Sequence, residues 1–236
     1  QVQELKISVM MLKSKEMEGV FGWDADLGRL YAEDRVVDDE DWKDKWKEYF
    51  KPAKVTETLV VKPTWETYEK TGSEKVIELD PGMAFGTGTH ETTTMCMELM
   101  EHYLKEGQSV LDIGCGSGIL SIAAAFLGSS RVLGIEIDPD AVRTARENVS
   151  ANGVSELVEI REGDLTKDVD EKADLIAANL IAPLVIQLAE PAAEHLNEGG
   201  VFISSGILTE RKEEVEKAIR EAGFEILEIR EKGEWC

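Results

Sequence analysis

The residues best placed to do chemistry stand where apolar runs end. Val110-Leu111-Asp112-Ile113-Gly114-Cys115-Gly116-Ser117-Gly118 puts three glycines at alternate positions after one such run. Glycine permits a tight turn and lets backbone approach a ligand closely. Asp112 stands just before the turn. In a dinucleotide enzyme a carboxylate there would oppose a pyrophosphate, but beside an ammonium and a sulfonium it is favourable. Glu136 closes the next run, where a carboxylate accepts hydrogen bonds from ribose hydroxyls. Asp164, in Gly163-Asp164-Leu165, follows the third strand and can receive the exocyclic amine of adenine. Asn179 closes a fourth; its amide oxygen and nearby carbonyls can accept hydrogen bonds from an incoming amine. Each acid alone reads equally well as a solvated residue or a helix cap. Asp138, before Pro139, is read as such a cap, without a ligand role. Taken together, Asp112, Gly114, Gly116, Gly118, Glu136, Asp164 and Asn179 predict a class I S-adenosylmethionine-dependent methyltransferase, with Asn179 beside the transferred methyl.

These residues need a scaffold that brings strand ends together. The pattern predicts a helix over about 91–104, strand 109–113, helix 119–127, strand 132–137 and a helix from Pro139 to Asn152-Gly153. Strands 157–161 and 173–178, helix 183–195, a turn at 197–200, strand 201–205, helix 210–222 and strand 224–230 follow. Short links between alternating strands and helices imply an α/β fold: a doubly wound, mainly parallel Rossmann-like sheet with a small N-terminal appendage. Residues 1–37 read as short strands, in which Asp24–Gly28 is a hairpin turn rather than a calcium loop. Residues 38–73 read as a linker with an amphipathic helix at 38–51 and a strand at 55–61. Residues 74–236 read as the catalytic domain.

Composition narrows the classes further. The net charge of −22 argues against binding a phosphate backbone and suits a basic protein partner. The three cysteines, Cys96, Cys115 and Cys236, have no CxxC spacing, so neither a disulfide framework nor a zinc site is expected. No metal-ligand cluster, membrane span or signal peptide is read, and a cytoplasmic location is expected.

Pro81-Gly82-Met83-Ala84-Phe85-Gly86-Thr87-Gly88-Thr89-His90-Glu91-Thr92-Thr93 resembles the signature of the bacterial methyltransferases that modify large-subunit ribosomal protein eleven. Asp41-Trp42 through Phe50-Lys51-Pro52, Asn179-Leu180-Ile181-Ala182 and Gly233-Glu234-Trp235 resemble that family too, so the likeness covers about residues 38–235. It implies methyl transfer to lysine ε-amines and the N-terminal α-amine of a basic ribosomal protein. It also implies that Phe85, Gly86, Thr87, Thr89 and His90 form a loop over the cofactor; His90 reads equally well as a helix cap. The family carries a compact N-terminal domain that docks the substrate, so residues 1–37 are expected to be a partial or divergent form of it. Three rivals stand beside this reading. They are a methyltransferase for another acceptor, a nicotinamide oxidoreductase, which Asp112 disfavours, and a non-catalytic cofactor-binding module, which the Asn179 turn disfavours.

Overall fold

The computed structural model describes residues 50–80 and 88–236. The strands expected in 1–37, the helix expected at 38–51 except its last two residues, and Phe85, Gly86 and Thr87 lie outside the described residues. Phe50–Cys236 pack as one unit. It opens with a small sheet of β1 (Ala53–Lys54), β2 (Leu59–Pro63) and β3 (Lys75–Leu79), in that order. β1 runs antiparallel to β2, and β3 runs parallel to it. Phe50 is buried and meets Trp65 edge-on, with ring centroids 6.0 Å apart.

The chain then alternates: α1 (Glu91–Tyr103), β4 (Ser109–Ile113), α2 (Ile119–Leu127), β5 (Arg131–Glu136), α3 (Pro139–Ala151), β6 (Val158–Glu162), β7 (Ala173–Asn179), α4 (Ala182–His195) and β8 (Leu196–Ser205). A 3-10 turn (Thr209–Arg211) and α5 (Lys212–Glu221) complete the helices. Strands β4 to β8 form one parallel sheet in the order β6-β5-β4-β7-β8. Strand order therefore reverses at β4, which pairs with β5 on one side and β7 on the other. A doubly wound sheet binds ligands outside the carboxyl ends of its strands at such a switch point. Helices on both faces explain why the strands read as apolar runs: Leu111, Ile113, Leu133, Ile135 and Ile176 are all buried. Asp138 accepts from the Asp140 amide and starts α3, with Pro139 in its first turn, as its sequence position predicts. Among the described residues no helix is long and apolar enough to cross a membrane.

Four expected elements differ, the first being the strand at 55–61, which begins only at Leu59 because residues 55–58 turn between β1 and β2. The turn at 197–200 lies within β8: Ala173 pairs with Leu196 and Leu175 with Val201, so residues 197–200 bulge without ending the strand. The helix expected from 210 begins as the 3-10 turn and becomes α-helical at Lys212. Residues 224–230 form no strand. Side chains hold them instead: Phe224 packs on Phe202, Glu228 accepts from the Tyr103 hydroxyl at 3.1 Å, and Arg230 pairs with Glu98 at 3.4 Å. An apolar trough of about 160 Å³, walled by Met95, Leu99, Val215 and Ile219, separates them from β8. Phe224 and Ile226 are half-buried while Leu227 and Ile229 are exposed, so the segment has apolar residues but no backbone neighbour to make it a strand.

One buried pair interrupts the apolar packing. Asp112 is the acid within β4 and Ser121 the hydroxyl within the apolar α2, and they meet: Ser121 Oγ donates to Asp112 Oδ2 at 2.6 Å. Asp112 is 1% exposed, and its Oδ1 has no hydrogen-bond partner among the described residues. Burial, only partly offset by Ser121, pushes the carboxyl from its ordinary 3.8 up to about 7. A raised acid holds its proton more tightly in the folded chain, so folding stability falls as pH rises between those two values and levels off above them. Asp112→Asn removes that term. Its stability relative to wild type, from chemical denaturation across pH 4–8, is expected to improve up to about pH 7 and then stay constant. A flat difference would show that Asp112 is ionised throughout.

Candidate active site

A cleft of about 320 Å³ opens at the switch point, outside the carboxyl ends of β4, β5 and β7. Gly114, Gly116, Glu136, Asp164 and Asn179 all line it, so the fold brings these five expected residues together. Asp112 and Gly118 lie behind them; neither lines the cleft. Among the described residues no group of three His, Cys, Asp or Glu side chains is placed to hold a metal ion.

The turn from β4 to α2 is left-handed at each alternate residue: φ is 73° at Gly114, 53° at Gly116 and 81° at Gly118. Two of these positions also lack room. A Cβ on Gly114 would stand 2.5 Å from Leu180 Cδ2, and one on Gly118 would stand 3.1 Å from Ala145 Cβ. The turn's amides are largely engaged within the protein, Gly114 and Cys115 to the Ile135 carbonyl and Gly118 to that of Cys115. The first turn of α2 differs. Gly118 offers no side-chain cap, and Ile119 and Leu120 line the cleft, so the positive end of the helix faces it. That suits an anionic group such as a carboxylate. Cys115 is buried inside the turn, and burial together with Asp112 and Glu136 pushes its thiol well above the usual range. It packs and does not act as a nucleophile.

Glu136 is anchored before any ligand arrives. Its Oε2 accepts from Gly116 N at 2.9 Å, and its Oε1 accepts from the amides of Ile137 and Asp138 at 2.9 and 3.0 Å. A carboxylate has about four acceptor sites, so this arrangement leaves room for about one further donor. Asp164 shares a hydrogen-bonded ion pair with Lys167 and stays partly exposed. Between the two acids stand two apolar side chains that sequence reasoning did not single out. Ile137 is 64% exposed at the end of β5, and Leu165 is held at φ 53°. A large apolar side chain left in water and a non-glycine residue left-handed beside a cleft both suit a flat apolar ligand group.

Asn179 completes the far side. Its Nδ2 donates to Thr93 Oγ1 at 3.1 Å, while its buried Oδ1 has no partner among the described residues. Thr93 also lines the cleft and passed unnoticed in the sequence because it lies inside α1, among buried threonines. Gly206 was missed as well. A Cβ there would stand 2.5 Å from the Leu180 carbonyl oxygen and 3.0 Å from Asn179 Oδ1, so both oxygens converge on it. Its signal in the sequence is a lone glycine closing β8. His90 is the N-cap of α1, accepting from Thr92 N, and it packs against Trp235 with ring centroids 5.4 Å apart. Two distant parts of the signature thus meet, while Thr89 is exposed beside them. An uncapped helix start, two carboxylates, an apolar wall and an orphaned amide oxygen fit a cofactor bearing carboxylate, ribose and adenine, next to an amine acceptor.

Residues 5–236 match the family described as ribosomal protein L11 methyltransferase (PrmA). The ribosomal protein L11 methyltransferase of Clostridium botulinum is 46% identical over 229 residues, 97% of this chain and 72% of that protein. That of Clostridium perfringens is 47% identical over 210 residues, 89% of this chain and 67% of that protein. The crystal structure of the ribosomal protein L11 methylase from Lactobacillus delbrueckii subsp. bulgaricus superposes with a TM-score of 0.75 at 36% identity, covering 79% of this chain and 95% of that one.

Gly206→Ala tests the crowding on this side of the cleft. The residue sits at φ 81° and its new methyl would meet the Leu180 carbonyl, so both strain and displacement follow. Denaturant titration is expected to show a loss of about 1 kcal/mol or more. No loss would mean that the Asn179-Leu180 turn is free to move away from β8.

Proposed function

Because the chain belongs to the ribosomal protein L11 methyltransferase family, we propose that it transfers methyl groups from S-adenosylmethionine to amine nitrogens of ribosomal protein L11. The acceptors are lysine ε-amines and the N-terminal α-amine. The observation that carries this reading is a cleft that gathers Asn179, whose Oδ1 has no partner among the described residues, with Glu136 and Asp164.

Bound there, S-adenosylmethionine supplies a methyl group made electrophilic by its sulfonium. The residues of the cleft divide the remaining work. Glu136 accepts from a ribose hydroxyl, Asp164 from the adenine amine, and the start of α2 faces the carboxylate. Ile137 and Leu165 cover the adenine. The Asn179 amide oxygen and nearby carbonyls would accept hydrogen bonds from the attacking amine and orient it for transfer. The task is positioning rather than acid–base work. A lysine ammonium, with a free pKa of about 10.4, must first lose its proton, which passes to solvent. In this scheme residues 1–37 help dock the acceptor protein, residues 38–73 link, and residues 74–236 carry the transfer. The net charge of −22 draws in a basic ribosomal protein, and the setting is the cytoplasm.

Calorimetry is expected to show binding of S-adenosylmethionine and S-adenosylhomocysteine but not of NAD. Gly116→Val should abolish that binding, and Glu136→Ala should weaken it by about 1–3 kcal/mol by removing an acceptor at the cleft. NAD binding without S-adenosylmethionine binding would overturn the reading. With radiolabelled donor and purified L11, Asn179→Ala is expected to lower kcat strongly with little change in KM for the cofactor. Wild-type turnover should rise with pH as more amine is neutral. Equal losses in cofactor affinity and turnover would make Asn179 a structural residue.

A further inference from the structure

Two asparagines, Asn148 on α3 and Asn152 at its C-cap, do the work of a missing strand. β3 bonds to β2 through alternate residues: Lys75 N donates to the Thr58 carbonyl and the Leu79 carbonyl accepts from Thr64 N. Glu78 and Asp80 therefore turn their backbone groups to the other edge. There Asn152 accepts from Glu78 N at 2.9 Å and donates to the Glu78 carbonyl at 2.7 Å. Asn148 likewise accepts from Asp80 N and donates to the Asp80 carbonyl, both at 3.0 Å. The spacing explains the match. Four residues of helix rise roughly 6 Å, and two residues of strand span nearly the same distance.

Asn148 does one thing that Asn152 does not. Its Nδ2 also donates to the Ser117 carbonyl, at 2.9 Å, in a buried bond. Ser117 stands between Gly116 and Gly118 in the cofactor turn. The peptide linking Ser117 to Gly118 is planar, so its two ends orient together. Its N–H is held by the Cys115 carbonyl at 2.8 Å, and its C=O is held by Asn148. That peptide sets the left-handed Gly118 and hence the direction in which the first turn of α2 presents its amides. Ala145, one turn earlier on α3, closes against Gly118 from the same side. Without Asn148 the peptide would lose the buried bond at its carbonyl end and keep the one at its N–H, so it would be freer to rotate.

We infer that Asn148 is a positioning residue for cofactor binding: its amide clamps the Ser117 carbonyl of the glycine turn to the end of β3 and so fixes the helix start that receives the cofactor. This rests on the methyl-donor reading above and adds a residue that lies outside the cleft. A clamp on the turn alters cofactor affinity and leaves the chemistry at Asn179 alone. The β3 anchorage is shared with Asn152, which makes Asn152 an internal control.

The experiment compares wild type, Asn148→Ala and Asn152→Ala by thermal melting, by calorimetry with S-adenosylhomocysteine, and by steady-state kinetics. Both variants should melt earlier. Only Asn148→Ala should raise the Kd and the KM for the cofactor, by about tenfold, with kcat within about twofold of wild type. An unchanged Kd in Asn148→Ala, or an equal rise in Asn152→Ala, would overturn the inference and leave the pair as a structural clasp. Hydrogen exchange on the wild-type chain gives a second reading that does not depend on a variant folding. Coupling is reciprocal, so saturating S-adenosylhomocysteine should slow exchange at Asp80 N–H more than at Glu78 N–H. Equal slowing would count against the clamp. Failure of the wild-type protein to bind S-adenosylhomocysteine at all would instead overturn the methyl-donor reading, and this inference with it.

Discussion

The left-handed turn at residues 114–118 is the constraint on which the rest of the site depends. A chain that leaves the central strand and enters α2 within five residues must reverse its backbone sense, and three positive φ angles accomplish that. Each glycine is then met by a different element: Leu180 after β7 lies over Gly114, Glu136 at the end of β5 takes the Gly116 amide, and Ala145 of α3 lies against Gly118. The turn is thus the meeting place of the sheet and the helix that follows β5. Side chains added there would disturb backbone and neighbours together, which is why no other residue type serves.

Most of this architecture was legible in the sequence because it obeys local rules. A parallel strand buried on both faces is largely apolar, so β4, β5 and β7 announced themselves. Asp138 and Pro139 marked the start of α3 because a cap and a fixed φ are local properties. What failed was long-range. Residues 224–230 have the apolar content of a strand, yet whether a strand forms depends on a backbone partner elsewhere in the chain. The bulge at 197–200 was read as a turn because Gly199 and Gly200 break a pattern equally well in either role.

The same division holds within the site. Glu136, Asp164 and Asn179 were legible because each stands at the C-terminal end of a strand. Thr93 and Gly206 were not, because their importance comes from what faces them: Asn179 Nδ2 for one, two carbonyl-type oxygens for the other. Asp112 shows the converse. Its place in the motif suggested a cleft residue, but its side chain turns inward to Ser121 and meets core rather than ligand. Two carboxylates on neighbouring strands therefore live in different media, Asp112 sealed in the core and Glu136 wrapped in backbone amides at the cleft.

Leu165 carries a consequence for anyone who would redesign the protein. A leucine at φ 53° is uncomfortable by roughly 1–2 kcal/mol, and glycine would relieve it. A search for heat resistance guided by backbone geometry alone would select that change early. It would also strip one apolar wall from the cleft. The left-handed leucine marks a place where natural selection has weighed durability against grip, so hardening and activity should pull this chain in opposite directions at that one position.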